Sequence, residues 1–150
     1  MFKLIVFDLD KTLADLGKGM SARNTAKLRR LEKSGARIAI CSGKPTYYLC
    51  GFMRQAGLKA PILIGENGAT IQFGVDLPPS DFYVLTKDEC AKRVLKKVYD
   101  DIDATFEGKM WFQPNSVCVT PFPKTQEDFD KIQNYVDKNK DLLSCLKVYR

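Results

Sequence analysis

The sequence predicts an α/β fold organised around a parallel β-sheet. Three short apolar segments alternate with two segments that have the spacing of amphipathic helices, and the turns between them are short. Because strand-helix-strand connections are right-handed, this β-α-β-α-β order predicts a right-handed, doubly wound sheet whose strands all end at one edge. The apolar segments are Lys3–Phe7, Arg37–Cys41 and Ile62–Ile64.

The first of these segments has the composition of a central strand. Its hydrophobic residues are continuous rather than alternating, as in parallel strands that are buried on both faces. The two helices have recognisable ends. Ser21 is expected to cap the first helix and Gly35 to end it, while Pro45 suits the first turn of the second and Gly57 ends it.

A change of pattern divides the chain. A turn at residues 65–68 and the alternation of Ala69–Phe73 predict a hairpin, and Leu77–Ser80 has the composition of a linker. We therefore assign residues 1–77 to a core and residues 78–150 to a second α/β unit. For this unit the sequence predicts a strand at Phe82–Leu85, a helix capped at Thr86, an antiparallel pair from Met110–Gln113 and Ser116–Thr120, a helix capped by Thr125, and a strand at Leu146–Tyr149.

Composition excludes several classes of protein. No apolar stretch is long enough to span a bilayer, and Asp8 and Asp10 interrupt the N-terminal apolar run before a secretory signal could form. The five scattered cysteines contain no CxxC pair, which indicates reduced thiols, several of them buried, in a cytoplasmic protein. The chain has no histidine, so histidine-based triads and phosphohistidine chemistry are excluded.

The net charge of +6 raises the question of a nucleic-acid partner. Basic residues are dense between Lys18 and Arg37, but no aromatic residues alternate with them, as single-strand binding would require. We interpret this segment as a solvated helix face and expect neither a nucleic-acid nor a membrane partner. A positive field also favours anionic substrates such as phosphate esters.

Carboxylates follow the first strand directly. Asp8 and Asp10 lie at its C-terminal end, with Thr12 two residues further on. Mg²⁺ prefers oxygen ligands and is commonly held by one or two carboxylates together with a substrate phosphate. An isolated pair of aspartates is weak evidence, because aspartates often only form turns or cap helices.

The end of the second strand adds a phosphate-binding pattern. Ser42, Gly43 and Lys44 follow the strand and precede the Pro45 helix. Ligands of open α/β sheets bind outside the carboxyl ends of the strands, and a helix N-terminus favours anions. Two adjacent strand ends of this kind together predict phosphate chemistry that uses Mg²⁺.

The motifs FDLDKTLA (7–14), CSGKP (41–45) and IGENGATI (64–71) resemble the haloacid dehalogenase-like (HAD) superfamily, best its Cof-type phosphatases with a C2 cap. The resemblance implies a partial Rossmann-like core followed by a partial α/β cap. It implies hydrolysis of a small phosphorylated metabolite with Mg²⁺ as cofactor.

The resemblance also implies residue roles. Asp8 would be the nucleophile and a metal ligand. Asp10 would be the general acid/base, and its backbone carbonyl would also contact the metal. Thr12 would steady the aspartate loop and line the phosphate site together with Ser42, Gly43 and Lys44. Lys11 stands where most members have glycine.

Two parts of the family pattern are not found in these 150 residues: a lysine after the cap, and an acidic GD loop on a fourth core strand. Without that strand, the first strand would have an open hydrophobic edge, which invites pairing with another chain. We expect a homo-oligomer or completion by a missing C-terminal segment. A non-catalytic module that binds phosphate or metal, or acts in assembly, is the alternative function.

Overall fold

Five strands pair into one sheet within residues 3–85 and 88–148, the part of the chain that the computed structural model describes. The sheet keeps the order of the sequence: the first three strands are parallel, and the last two are added antiparallel. This arrangement confirms the α/β class. The strands are β1 (Leu4–Phe7), β2 (Arg37–Cys41), β3 (Ile62–Gly65), β4 (Thr70–Phe73) and β5 (Asp81–Val84).

The two helices of this part both follow parallel strands. They are α1 (Ala22–Lys33) and α2 (Thr46–Ala56), and both contribute to a single hydrophobic cluster. Because both crossovers lead in the same direction along the sheet, right-handedness places both helices on one face. The second helical layer of a doubly wound sheet is not formed by the described residues. The cluster includes Leu28 of α1, Ile38 and Ile40 of β2, Leu49 and Met53 of α2, and Leu63 of β3.

The predicted helix ends are confirmed. The Ser21 hydroxyl accepts a hydrogen bond from the backbone N–H of Asn24 at 3.1 Å, which caps α1. Pro45 lies at the N-cap of α2, and Gly57 ends it with a φ of 77°, a conformation that glycine adopts at little cost. Local sequence signals therefore fix where both helices begin and end.

β1 is not buried on both faces, and that prediction is wrong. The strand lies at the end of the sheet, next to β2, and the side chains of Leu4 and Val6 are 50% and 54% exposed. Its other face, through Phe7, packs against the cluster of α1 and α2. Among the described strands β1 pairs with β2 alone, which agrees with the expected open hydrophobic edge.

The chain divides into two compact units, residues 1–86 and residues 87–150. β5, which the sequence places beyond the linker, pairs with β4 in the sheet of the first unit. The assignment of residues 78–150 to a cap stays a prediction.

The second unit has its own small core. Val98, Ile102 and Leu143 are buried in it, and Tyr135 joins two helices by donating a hydrogen bond to Asp101 at 2.8 Å. Burial and the charge of Asp101 raise the pKa of Tyr135 to about 12. The elements are α3 (Glu89–Thr105), β6 (Trp111–Phe112), β7 (Pro121–Phe122), α4 (Gln126–Lys138) and a 3₁₀ helix, Leu142–Cys145.

Two strand predictions in this unit are wrong. The residues 116–120 form a loop instead of a strand, because the Asn115 side chain donates to the Thr120 hydroxyl and closes it. The residues 146–148 are not a strand, since the Leu146 N–H turns back to the Leu143 carbonyl.

One of the two predicted helix caps of this unit lies among the described residues, and the other does not. Thr125 caps α4 as predicted, in a capping box with Asp128. The predicted cap at Thr86 lies outside the described residues, and Asp88 caps α3. Across residues 3–85 and 88–148, no helix has both the length and the apolar character that crossing a membrane requires.

The buried cluster makes a direct stability prediction. Leu49 is fully buried, so we expect Leu49→Ala to lower the free energy of unfolding by about 2–5 kcal/mol through lost burial and the cavity left behind. The matched change Leu16→Ala, at a side chain that is 58% exposed, should cost far less. Urea unfolding followed by circular dichroism measures both, and equal losses would contradict the assignment of this core.

Candidate active site

The loop after β1 is a compact turn that separates the two aspartates from the core. The Leu9 carbonyl accepts hydrogen bonds from the N–H groups of Leu13 at 2.9 Å and Ala14 at 3.1 Å. Leu9 and Leu13 are buried in the cluster under the sheet. Because Leu9 points inward, its neighbours Asp8 and Asp10 face away from the core, with Asp8 exposed and Asp10 half-buried.

The same loop requires an unusual backbone conformation at Lys11. Its φ is 61°, in the left-handed region that non-glycine residues rarely occupy. A glycine at this position would adopt the conformation without steric cost, which gives the physical reason why glycine is common there in the family that the motifs resemble. The loop is also tied to α1, since the Asn24 side-chain amide donates to the Leu13 carbonyl at 3.0 Å.

Ser42 is the buried element at the end of β2. Its backbone N–H donates to the Ile64 carbonyl of β3 at 3.0 Å, and its side chain is only 6% exposed. The Ser42 hydroxyl accepts a hydrogen bond from the Lys44 N–H at 3.2 Å. A hydroxyl that accepts one hydrogen bond keeps its own proton as a donor, so Ser42 can still donate to a phosphoryl oxygen.

The end of β3 folds back onto the Ser42 loop. The Asn67 N–H donates to the Ser42 carbonyl at 3.1 Å, and the Glu66 N–H donates to the Lys44 carbonyl at 3.0 Å. Gly65 permits this approach, because a Cβ there would lie 2.8 Å from the Thr46 nitrogen. Two loops are thus held together by backbone hydrogen bonds at one edge of the sheet.

An ion pair joins the first loop to the second. The Lys44 Nζ lies 3.2 Å from the Asp10 Oδ2, and the two side chains are 21% and 29% exposed. Because the pair is partly buried, water and salt screen its attraction less than they screen an ordinary surface ion pair. Within the first loop, the Thr12 hydroxyl donates to Asp8 Oδ2 at 3.5 Å, at the long limit of a hydrogen bond.

The predicted site residues therefore form two groups, and each group is held together by its own contacts. One contact links Asp10 to Lys44, which is hydrogen-bonded through its backbone to Ser42. The other links Thr12 to Asp8. The Lys44 N–H, one of the groups expected to cradle phosphate, is engaged with the Ser42 hydroxyl.

The acidic residues present can offer two carboxylates to a cation. In residues 3–85 and 88–148, no three histidine, cysteine or acidic side chains come together as a metal-ligand group. Mg²⁺ is commonly bound through one or two carboxylates, with waters and substrate phosphate completing its octahedral shell. Asp8, exposed, and Asp10, half-buried, fit that requirement by their chemistry.

Sequence reasoning gave the end of β3 no part in the site. Glu66 and Asn67 have φ values of 52° and 57°, and the Asn67 side chain lies against Gly43, where an added Cβ would be 3.3 Å from its Oδ1. Asn67 is exposed beside the loop that contains Ser42. The available signal was a polar residue two positions after a third parallel strand, which ends at the same edge as the other two.

Comparison with protein families gives a match for this sequence. A family model described as haloacid dehalogenase-like hydrolase matches residues 5–147, nearly the whole chain. The chain belongs to this family. None of the curated proteins compared with the sequence matches it. The resemblance to the haloacid dehalogenase-like superfamily, predicted from the three motifs, is confirmed.

Solved structures of the family share the fold. A haloacid dehalogenase-like hydrolase from Bacteroides thetaiotaomicron is 27% identical over 71% of this chain and 39% of its own, with a TM-score of 0.54. The C-terminal domain of C. albicans trehalose-6-phosphate phosphatase is 20% identical, over 93% of this chain and 51% of its own, with a TM-score of 0.69.

A haloacid dehalogenase-like hydrolase from B. subtilis is 22% identical, over 74% of this chain and 35% of its own, with a TM-score of 0.54. The chain thus spans about a third to a half of the length of these structures.

The strained position in the aspartate loop can be tested. We expect Lys11→Gly to raise the free energy of unfolding by up to about 1 kcal/mol, because glycine adopts a positive φ without steric cost. Lys11→Val should lower it by about 1 kcal/mol or more, since a β-branched residue is least tolerant of this conformation. Urea unfolding measures both changes. Equal stability of the two variants would show that the loop does not hold this backbone conformation in solution.

Proposed function

We propose that this chain carries the reaction site of a Mg²⁺-dependent phosphomonoester hydrolase that acts through an aspartyl-phosphate intermediate. The observation that carries the proposal is the ion pair between Lys44 and Asp10, which brings the loop after β1 to the loop after β2. A catalytic carboxylate and a cation suited to a phosphate thereby share one edge of the sheet.

Asp8 would be the nucleophile. It is exposed at the end of β1, and an oxygen of its ionised carboxylate would attack phosphorus. The bond between phosphorus and the ester oxygen breaks, and the leaving oxygen takes a proton from Asp10. Asp10 then removes a proton from water, which attacks the phosphoryl group on Asp8 and releases inorganic phosphate. The carboxylate of Asp8 is regenerated.

The other site residues would bind the transferred group. The Ser42 hydroxyl would donate to a phosphoryl oxygen, together with the backbone around Gly43, and Thr12 would keep the Asp8 carboxylate in position. Lys44 would supply positive charge on the side of Asp10. Asp8, through its carboxylate, and Asp10, through its backbone carbonyl, would hold Mg²⁺, which supplies charge to offset that of the phosphate.

The substrate class we propose is a small phosphorylated metabolite. Matched structures include trehalose-6-phosphate phosphatases from Aspergillus fumigatus and C. albicans and a phosphatase from B. thetaiotaomicron, at 18%, 20% and 20% identity. Identities at this level support the fold alone, so the particular sugar or acid is not transferred. The five scattered cysteines, which contain no CxxC pair, support the proposal of a cytoplasmic location.

The proposal predicts different losses for the two aspartates. With an aryl phosphate and Mg²⁺, we expect Asp8→Asn to abolish turnover and phosphoryl-enzyme formation, because the nucleophile is gone. Asp10→Asn should lower kcat by about 10²–10⁴-fold, the usual contribution of a general acid/base. Release of inorganic phosphate measures turnover.

The matched control is Asp15→Asn, which changes an exposed aspartate whose ion pair with Lys18 is on the surface. This variant should keep the activity of the unchanged chain. Equal rates for the unchanged chain and Asp8→Asn would contradict catalysis by these residues.

A second candidate function is a phosphate- or metal-binding module without turnover. It is favoured by the ion pair with Lys44, which engages the carboxylate of Asp10 that would otherwise serve as general acid/base. Calorimetric binding of orthophosphate that is lost in Ser42→Ala, without turnover in the unchanged chain, would select this alternative.

We also propose that a second copy of the chain pairs with β1. This strand lies at the end of the sheet, and Leu4 and Val6 are half-exposed on it. Antiparallel pairing of two such strands would bring the Lys3 end of one near the Asp8 end of the other, so opposite charges would meet.

Self-association is tested by light scattering over a range of protein concentrations. We expect a dimer that Val6→Lys weakens, because a charge on the exposed side of the edge strand opposes association. Leu16→Lys, at a loop side chain of similar exposure, should leave the dimer unchanged. A monomer at every concentration would overturn the second-copy proposal.

A further inference from the structure

The backbone and the side chain of Lys44 are held in different ways. The backbone is fixed on both sides, because its N–H donates to the Ser42 hydroxyl at 3.2 Å and its carbonyl accepts from the Glu66 N–H at 3.0 Å. The ammonium group lies at the end of a flexible four-carbon chain, 3.2 Å from the Asp10 Oδ2. Lys44 is therefore anchored beside Ser42, while its charge can move by rotation of the side chain.

A phosphoryl group bound at Ser42 would be a second anionic partner for this ammonium. It would lie close to residue 44, because the Ser42 hydroxyl is itself in contact with the Lys44 N–H. Near neutral pH a phosphate monoester carries about two negative charges and three acceptor oxygens, whereas a carboxylate carries one charge. Since attraction grows with charge, the phosphoryl group would compete with Asp10 for the ammonium of Lys44.

The contact with Lys44 occupies one carboxylate oxygen of Asp10. In the proposed reaction Asp10 must come within hydrogen-bond distance of the leaving oxygen and then of water. The Oδ2 that faces the Lys44 ammonium is not available for this contact while the ion pair persists. The observed arrangement is therefore suited to a site without substrate.

We propose that Lys44 exchanges partners: it holds Asp10 in the empty site and moves to the phosphoryl group when substrate binds, which releases Asp10 for the reaction. This inference rests on the proposed function, which takes Asp10 as the acid/base and the Ser42 loop as the phosphate site. No covalent bond changes in the exchange, because one ion pair replaces another. The carboxylate would become available only when an anion occupies the site.

A second lysine–aspartate pair of the same length provides a matched control. The Lys18 Nζ lies 3.2 Å from the Asp15 Oδ2, but these side chains are 74% and 69% exposed, against 21% and 29% for Lys44 and Asp10. The exposed pair joins two residues of one loop, whereas the Lys44 pair joins the loop after β1 to the loop after β2. Only the second arrangement couples Asp10 to the Ser42 loop.

The test measures orthophosphate binding to the full chain by calorimetry, at fixed pH, salt and Mg²⁺ concentration. Asp10→Asn should tighten binding by about fivefold or more when Lys44 is present, because binding no longer breaks an ion pair. In Lys44→Met, Asp10→Asn should tighten binding less, since it removes only the repulsion between carboxylate and phosphate. The unchanged chain, the two single variants and the double variant form a double-mutant cycle that gives the difference.

The order of the two gains decides the result. If Lys44 stayed on Asp10 when phosphate binds, it would shield the phosphate from the carboxylate, and the larger gain would be found in Lys44→Met. A gain in Lys44→Met that equals or exceeds the gain with Lys44 present would rule out the exchange. Absence of orthophosphate binding in all four proteins would rule it out as well.

Turnover of an aryl phosphate is measured separately, so the two proposals can fail independently. Turnover together with the reversed order of gains would contradict the exchange and leave the proposed function standing. The expected order of gains without turnover would support the exchange and contradict hydrolysis by this chain.

Further variants separate the exchange from general effects of charge and folding. Asp15→Asn, with and without Lys18→Met, should leave orthophosphate affinity unchanged, and a cycle equal to that of Asp10 and Lys44 would contradict the exchange. Lys44→Arg should restore most of the binding lost in Lys44→Met, because the guanidinium keeps the positive charge. Circular dichroism checks that each variant folds.

Discussion

The backbone register between the parallel strands is the constraint on which the candidate site depends. Pairing of β1 with β2 places Phe7 beside Ile40, and pairing of β2 with β3 places Cys41 beside Ile64. The polar residues that follow these positions therefore lie together at the C-terminal ends of the parallel strands. Their side chains are not needed there for packing of the core. Main-chain hydrogen bonds continue past the strand ends, from Asn67 to the Ser42 carbonyl. A shift of register by one residue would exchange the side chains between faces and separate Asp10 from Lys44.

The core of the first unit and the position of the site were predictable because they depend on local signals. Apolar runs marked the strands, and a capping serine and a terminal glycine marked helix ends. The polar residues of the site directly follow the first two apolar runs. The Lys44–Asp10 contact was not predictable, since a lysine side chain can reach many positions and its choice depends on three-dimensional distance. The sequence also did not predict that Asn67 lies beside the Ser42 loop, because this position depends on positive φ angles at two successive residues.

The strands of the second unit were harder to predict for a related reason. β6 and β7 contain two residues each, too few for alternation to be recognised, and side-chain hydrogen bonds of Asn115 decide where the loop between them closes. The exposure of one face of β1 was also not predictable from its sequence. A continuous apolar run is equally compatible with a strand covered on both faces and one covered on a single face, because burial is decided by elements distant in sequence.

One part of the candidate site depends on β1, the strand at the end of the sheet. Asp8 follows the last residue of β1, and among the described strands β1 pairs with β2 alone. An edge strand with one neighbour opens at lower free energy than a strand held on both sides, and its opening would displace Asp8 from Thr12. Ser42 lies after β2, which is held between two strands, so we expect the side of the site proposed to bind phosphate to be the more rigid. A partner that paired with β1, as proposed, would therefore act mainly on the loop that carries Asp8, stabilising the proposed nucleophile without touching it.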